Sequence, residues 1–342
     1  MRGKLKIWHG LSLLLVVLLI AAYFIRLPYF VQSPGNAQSM AGLIKVNGGQ
    51  KINGKYSLVY IYLGQANIYD YLWARFDGNR YTTLVKENTV MLPGQTTKEY
   101  NLIQNNYMRN AQQSAAYVAY KASGHKARVT GEGVLVLDVM PSMPSAKVLK
   151  SGDIIIGLNN QRIKTYDELD RRVKKMALGD PLRLTVLRGG KTKHVTAVIA
   201  KFPKTAASGK QAIGIGIYED NYFKTAVSPN IHFAIRNIGG PSAGLMMALD
   251  IYDQLNAHDL AKGRAIAGTG TIDRDGEVGP IGGIEEKIVA ANRSHANVFF
   301  APEADNEYKD AQKTARAIGA SMKIVPVRTF HDAVTYLERS KD

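Results

Sequence analysis

The last third of the chain alternates short β-type runs with amphipathic helical patterns, and this alternation restricts it to a layered α/β fold. Gly214-Ile-Gly-Ile-Tyr218, Asn230-Ile-His-Phe-Ala-Ile235, Ala265-Ile-Ala-Gly-Thr-Gly-Thr-Ile272, Asn297-Val-Phe-Phe-Ala301 and Lys323-Ile-Val-Pro-Val327 read as strands. Ser242 to Leu255, Ile284 to Arg293, Tyr308 to Ile318 and Thr329 to Glu338 read as helices. Gly239-Gly240, Asp275-Gly276 and Gly282-Gly283 punctuate them as turns.

Two residues in this part carry candidate chemistry. Gly240-Pro-Ser-Ala-Gly244 stands between a strand and a helix and fits the Gly-x-Ser-x-Gly pattern. Its glycines allow a tight turn, and Ser242 at a helix start meets N–H groups able to hold a developing oxyanion. Gly239, Gly240 and Ala243 are the candidate supports of that oxyanion. The same position also suits a plain N-cap. On a later helix, Ile284, Lys287, Ile288 and Ala291 follow i, i+3, i+4, i+7, so Lys287 falls within an apolar stripe, with Glu285 and Glu286 off its centre line. An ammonium there loses hydration, which favours the neutral amine, a base for a serine hydroxyl. The competing reading is a lysine that snorkels to water. His232 reads as a strand residue near the site's edge rather than a ligand, and Asp273 is assigned no role.

The segment 123–205 reads differently. Val134-Leu-Val-Leu-Asp-Val-Met140 is a strand, followed by the loop Pro141 to Ser145 and a short helix to Leu149. Leu149-Lys-Ser-Gly-Asp-Ile-Ile-Ile-Gly-Leu-Asn159 is a turn feeding a buried strand. Thr165 with Glu168 three residues on opens the amphipathic helix Tyr166 to Met176. Leu182 to Arg188, a Gly189-Gly190 hairpin and His194 to Ile199 complete it. That run and order of elements resemble a PDZ domain. Such domains add a peptide as a strand at a sheet edge and meet its C-terminal carboxylate with backbone N–H groups. The resemblance places the peptide-binding loop at Gly131-Glu132-Gly133-Val134, a departure from the usual Gly-Leu-Gly-Phe type.

Gly-Gly-Pro-Ser242-Ala-Gly, followed by Lys287 in Gly-Pro-Ile-Gly-Gly-Ile-Glu-Glu-Lys-Ile, resembles the proteolytic domain of Lon peptidases. Thr269-Gly-Thr-Ile before the Gly276 turn belongs to the same resemblance. It implies a Ser–Lys dyad, with Ser242 as nucleophile and Lys287 as general base. ATP-dependent relatives carry an ATPase, but no Gly-x4-Gly-Lys-Ser/Thr motif occurs here. Gly190-Lys191-Thr192 fails because Thr185 stands where the first glycine belongs. Gly239 also occupies a position that is often Asp in those relatives. An α/β-hydrolase reading, with Asp305 and His331 completing a triad, leaves too little chain around Ser242 for its sheet. His-Glu-x-x-His is absent. The remaining rival is an exported PDZ adaptor with an inactive peptidase fold.

At the other end, Leu11 to Ile25 form an apolar run broken only by Ser12. Extended from Ile7 to Phe30, it predicts a transmembrane helix for a ~30 Å hydrocarbon core. Arg2, Lys4 and Lys6 precede it, and Trp8, Tyr23 and Tyr29 flank it as an aromatic belt would. The expectation is a single-pass cell-membrane anchor with a cytoplasmic N-terminus and an extracytoplasmic catalytic part. A cleaved signal peptide is the alternative, but the bulky Arg26-Leu-Pro-Tyr-Phe30 offers no small-x-small site. Next comes a β-rich stretch, clearest at Tyr56 to Leu63, ending in a helix from Thr97 to Lys121. It carries no visible chemistry. Together the parts resemble the membrane-anchored PDZ–Lon peptidases of Gram-positive bacteria, the pheromone-processing type.

The expected architecture is multidomain α+β: anchor 1–30, β-rich domain 31–122, PDZ domain 123–205 and Lon-like α/β domain 206–342. A chain of 342 residues has room for that many parts. The net charge of +16 is scattered, with short basic runs such as Arg171-Arg172-Val173-Lys174-Lys175 and no interleaved stacking aromatics, so nucleic acid is not an expected partner. Zero cysteines exclude disulfides, thiolate metal sites and a Cys nucleophile. No cofactor, metal or ATP is expected. The expected partners are peptides or unfolded protein segments and, through the anchor, a membrane. A homo-oligomer formed through the Lon-like domain stays open.

Overall fold

The computed structural model describes residues 2–91, 95–203 and 212–340. From the N-terminus the chain runs through helix α1 (Arg2–Phe24), strands β1 (Arg26–Ser39) and β2 (Lys55–Asn67), helix α2 (Ile68–Phe76), strand β3 (Thr83–Lys86) and the long helix α3 (Thr97–Ala122). A second group follows: β4 (Lys126–Val139), β5 (Ile154–Leu158), helix α4 (Tyr166–Val173), β6 (Pro181–Arg188), β7 (Lys191–Val198) and β8 (Ile217–Ser228). The last group is α5 (Gly244–Leu255), β9 (Ala265–Gly268), α6 (Ile284–Arg293), β10 (Val298–Pro302), α7 (Glu307–Ala317), β11 (Lys323–Val327) and α8 (Phe330–Arg339).

Two six-stranded sheets organise these elements. The first has the order β11-β10-β9-β2-β1-β3. Its C-terminal half is parallel, as βα alternation requires, and β9 also pairs parallel with β2 of the N-terminal segment. β1 then pairs antiparallel with both β2 and β3. The β-rich stretch expected as a domain at 31–122 therefore does not stand apart. It supplies half of the sheet on which the Lon-like part is built. Met40, Tyr56 and Leu58, Met108 to Tyr120 of α3, and α5 and α8 share one buried core. The α3 face in that core is largely alanine (Ala111, Ala115, Ala116 and Ala119), which lets α5 approach closely.

The second sheet contains β8-β4-β5-β6-β7 in that order, every pair antiparallel. It closes over its own core of Val134, Val136, Ile155, Leu158, Leu169, Leu182, Leu184 and Val186. Asp153 in the turn before β5 is buried and takes two 2.6 Å bonds from Arg188. This unit is inserted between α3 and α5 of the surrounding body. Arg274 of the body ties to it, lying 3.3 Å from Glu132 and 5.3 Å over the ring of Phe223.

The expected transmembrane element is not supported. Among the described residues, no helix is long and apolar enough to cross a membrane. α1 ends at Phe24 and the chain enters β1 at Arg26, so the run expected to extend to Phe30 is cut short. From Leu11 to Phe24 a helix rises only ~21 Å, at about 1.5 Å per residue, against a core of ~30 Å. Tyr29, expected in a membrane belt, instead packs on Tyr71 at 5.3 Å. Among the described residues the fold class is thus α+β without a spanning helix, and the single-pass localisation loses its basis.

The N-terminal segment also satisfies a buried charge in the other half. The Tyr56 hydroxyl donates to Asp253 Oδ2 at 2.9 Å, and Asp253 accepts further bonds from the Leu260 and Ala261 N–H groups. Burial raises the pKa of Asp253, and these donors oppose the rise. Tyr56→Phe leaves one carboxylate lone pair unmet and should lower unfolding stability by ~1–3 kcal/mol. Denaturant titration of the full chain checks this; an independent 31–122 domain would instead lose stability in a separate transition.

Candidate active site

Ser242 is not a helix cap. α5 begins at Gly244, and Ala243 occupies its N-cap without a side-chain bond. The turn into it needs Gly240, whose φ of +85° is open to few other residues. The Ser242 carbonyl is pinned twice, by the Gly270 N–H at 2.8 Å and the Thr269 hydroxyl at 3.0 Å. With its backbone so fixed, the side chain reaches Lys287, whose Nζ lies 3.0 Å from Ser242 Oγ.

Lys287 sits in the first turn of α6 and is 3% exposed. It faces the core, as the apolar stripe predicts, and does not snorkel. Its Nζ also lies 3.0 Å from Thr269 Oγ1. The Thr269 hydroxyl hydrogen is committed to the Ser242 carbonyl, so its oxygen receives an N–H from Lys287. In the neutral amine that arrangement leaves the nitrogen lone pair to Ser242. Burial pushes the Lys287 pKa from 10.5 down to about 7, while Glu307 and then Glu286 pull it up. Glu286, expected off the stripe, is buried too, because Gln32 of β1 donates to its Oε1 at 2.7 Å.

The oxyanion candidates fare unequally. The Gly240 N–H is spent on the Gln104 carbonyl of α3 at 2.9 Å, so it is removed as a support. The Gly244 and Leu245 N–H groups are likewise taken, by Pro241 and Gly270. Gly239, packed on the Gln104 side chain, and Ala243 remain candidates. Asp273 accepts the N–H groups of Asp275 and Glu277 and so builds the hairpin turn. His232 is exposed on a short strand opposite Lys45, outside this constellation. No group of His, Cys, Asp or Glu among the described residues is arranged to hold a metal ion.

Gly131-Glu132-Gly133-Val134 is not a loop. It lies within β4, paired with Lys224, Phe223, Tyr222 and Asn221 of β8, and Val134 also pairs with Ile155 of β5. The glycines that suggest a loop serve close packing: a Cβ on Gly133 would come within 2.7 Å of the Ile155 carbonyl. Glu132 is held by Lys164 at 3.7 Å and Arg274 at 3.3 Å. One edge of this sheet is β8, and α3 covers part of it. Asn110 and Arg109 donate to the carbonyls of Asn221 and Phe223, and the Thr225 N–H donates to Gln113.

Sequence reasoning quoted Thr269 in a motif but gave it no role; a hydroxyl directly after a core strand was the available signal. It missed Gln104 and Glu307, which lie on elements distant in sequence, and no local pattern marks either.

Comparison with known proteins finds two family matches, whose bounds differ from those of the structural units. Residues 204–338 match the Lon protease (S16) C-terminal proteolytic domain, and residues 98–199 match the PDZ domain. The chain carries a PDZ domain and a Lon-type serine peptidase domain. Lon protease of Vibrio parahaemolyticus is 32% identical over 120 residues, 35% of this chain and 15% of that protein. Lon protease of Trichlorobacter lovleyi is 37% identical over 95 residues (28% and 11%), and Lon protease 2 of Bacillus subtilis is 35% identical over 97 residues (28% and 16%). The chain thus spans a small part of these relatives' length. The PDZ domain of an SdrC-like protein from Listeria monocytogenes aligns at 26% identity and a TM-score of 0.24, covering 27% of this chain and 92% of that domain.

The buried lysine has a measurable cost. A folded-state pKa near 7 against 10.5 when free means that the folded Lon-type domain binds fewer protons between those values. The penalty is complete below pH ~7 and fades as pH rises toward ~10.5, with an upper bound of about 5 kcal/mol. Lys287→Met should therefore raise the melting temperature most at pH 6, and the gain should shrink toward pH 10. A gain independent of pH would mean that the lysine is not buried in its neutral form.

Proposed function

We propose that the chain is a serine endopeptidase that works without ATP on peptides or unfolded protein segments, with Ser242 as nucleophile and Lys287 as general base. The observation that carries this reading is the 3.0 Å approach of a buried Lys287 Nζ to Ser242 Oγ. In the attack, Ser242 Oγ bonds to the substrate carbonyl carbon as its proton passes to the Lys287 lone pair. The resulting ammonium keeps its donor bond to Thr269 and delivers a proton to the leaving amine. Water then repeats the sequence on the acyl-enzyme. Developing negative charge on the substrate oxygen falls beside the start of α5, where Ala243 and Gly239 are the candidate supports. The absence of a phosphate-binding Gly-x4-Gly-Lys-Ser/Thr motif from the sequence supports action without nucleotide.

The PDZ unit presents or gates substrate in this reading. An added peptide strand would pair with the part of the β8 edge that precedes Asn221, next to α4, because α3 side chains occupy the edge from Asn221 to Thr225. This edge replaces the Gly131–Val134 run as the proposed peptide contact. Processing or quality control of polypeptides fits the pairing of a peptide-binding unit with a Ser–Lys site.

The test uses the full chain with casein and a mixed peptide library, without nucleotide, and reads products by mass spectrometry. Wild type should cleave, and kcat/KM should rise as pH passes through about 7, where Lys287 becomes neutral. Ser242→Ala should abolish turnover, and Lys287→Ala should lower it by at least ~100-fold. Cleavage that survives both substitutions would overturn the assigned site. A wild type that binds peptides but turns over none would favour the adaptor reading.

A further inference from the structure

Glu307 opens α7 and is only 6% exposed. Its Oε1 accepts the Ile281 N–H at 2.7 Å, and its Oε2 is buried with no hydrogen-bond partner. Ile281 lies in the Gly279–Gly283 stretch that feeds directly into α6, two residues before the N-cap Gly283 and six before Lys287. One carboxylate oxygen thus latches the backbone that aims the lysine, and the other is left bare in the same interior. A bare anionic oxygen in such a place is costly unless a positive charge appears nearby.

The only buried lysine among the described residues is Lys287. Its neighbours on each packed element are known. On α6 itself stands Glu286, whose Oε1 is engaged by Gln32 of β1. Thr269 after β9 and Ser242 before α5 are neutral. From α7 comes Glu307, with Asp305 and Asp310 beside it. Glu307 exerts the largest charge effect on Lys287, ahead of Glu286, although the two are not within ion-pair distance. Burial raises the Glu307 pKa, while the Ile281 N–H and then Lys287 hold it down.

We propose that Glu307 is a positioning residue for the base: it latches the Ile281 backbone into α6 and supplies the counter-charge when Lys287 becomes an ammonium. This rests on the peptidase reading of the site. Proton transfer from Ser242 creates a buried cation, and a carboxylate fixed beyond ion-pair distance stabilises that cation without pairing with it in the resting state. A direct ion pair would keep Lys287 protonated and unable to act.

Glu307→Gln keeps the shape and an acceptor for the Ile281 N–H but removes the charge. The first readout is the titration of Lys287 followed by NMR of 13Cε-labelled lysine in the full chain, with Lys287→Met identifying the signal. Its midpoint should fall by about two pH units in Glu307→Gln, the scale of one charge slightly beyond ion-pair distance at an effective dielectric constant of ~20. The second readout is casein cleavage. The acid limb of kcat/KM should move to lower pH by the same amount, and kcat on the plateau should fall by about threefold or more with KM unchanged. Should Glu307→Gln fail to fold, Glu307→Asp keeps the charge and weakens the latch: Ile281 amide exchange should then quicken while the Lys287 midpoint stays. A Lys287 midpoint unmoved in a folded Glu307→Gln, or displaced in Glu307→Asp, overturns the proposal. The titration needs no turnover, so a wild type without cleavage, or a cleaving Ser242→Ala, refutes the peptidase reading and leaves this result to stand or fall by itself.

Discussion

The body of the molecule depends on one parallel pairing, between Ala265–Gly268 of β9 and Lys55–Leu58 of β2. It joins chain segments some two hundred residues apart and makes one sheet of two halves. β9 is central, with β10 on its other side. At its end the chain passes straight from Gly268 to Thr269, the residue that holds both the Ser242 carbonyl and the Lys287 amine. Gly268 admits α5 against the sheet, since a Cβ there would lie 2.6 Å from the Met246 sulfur. Strand pairing therefore positions the helix that follows the serine and the threonine that orients the lysine. α3 closes the arrangement from outside through the Gln104 carbonyl.

Burying an amine is unfavourable for folding and useful for chemistry, and both follow from the same loss of hydration. The surrounding protein answers with graded, mostly indirect compensation. Two hydroxyls meet the nitrogen directly, while the carboxylates of Glu286 and Glu307 stay attached to other partners. The result is an amine poised near neutrality rather than a salt bridge. Sites of this kind are local exceptions to the packing rules that stabilise the rest of the core.

Much of the C-terminal part is legible in the sequence because its signals are local. The helix from Ile284 to Arg293 has the expected bounds, and its stripe places Lys287 in the core. Ser242 and Lys287 come together because each stands in a short motif tied to a helix start. The β2–β9 pairing has no such signal, so residues 31–122 read as a separate domain. The apolar run at the N-terminus misleads for a related reason: hydropathy counts residues but does not see that the helix stops at Phe24 and becomes a strand. The Gly131–Val134 run misleads through its glycines, which in β4 relieve crowding rather than make a turn. Glu286 sits off the helix stripe yet is buried, since only the fold brings Gln32 to it.

The inserted PDZ unit enters and leaves the body at adjacent points. Lys126 at the start of β4 is the direct cross-strand partner of Ser228 at the end of β8. Residues paired in this way stand ~5 Å apart. The unit is thus a cassette on a two-stranded stem, and the chain on either side of the stem runs on as if the excursion had not occurred. A tight hairpin turn spans the same gap. In lineage terms, a peptidase body of this design is able to gain, lose or exchange such a cassette without redrawing its own sheet.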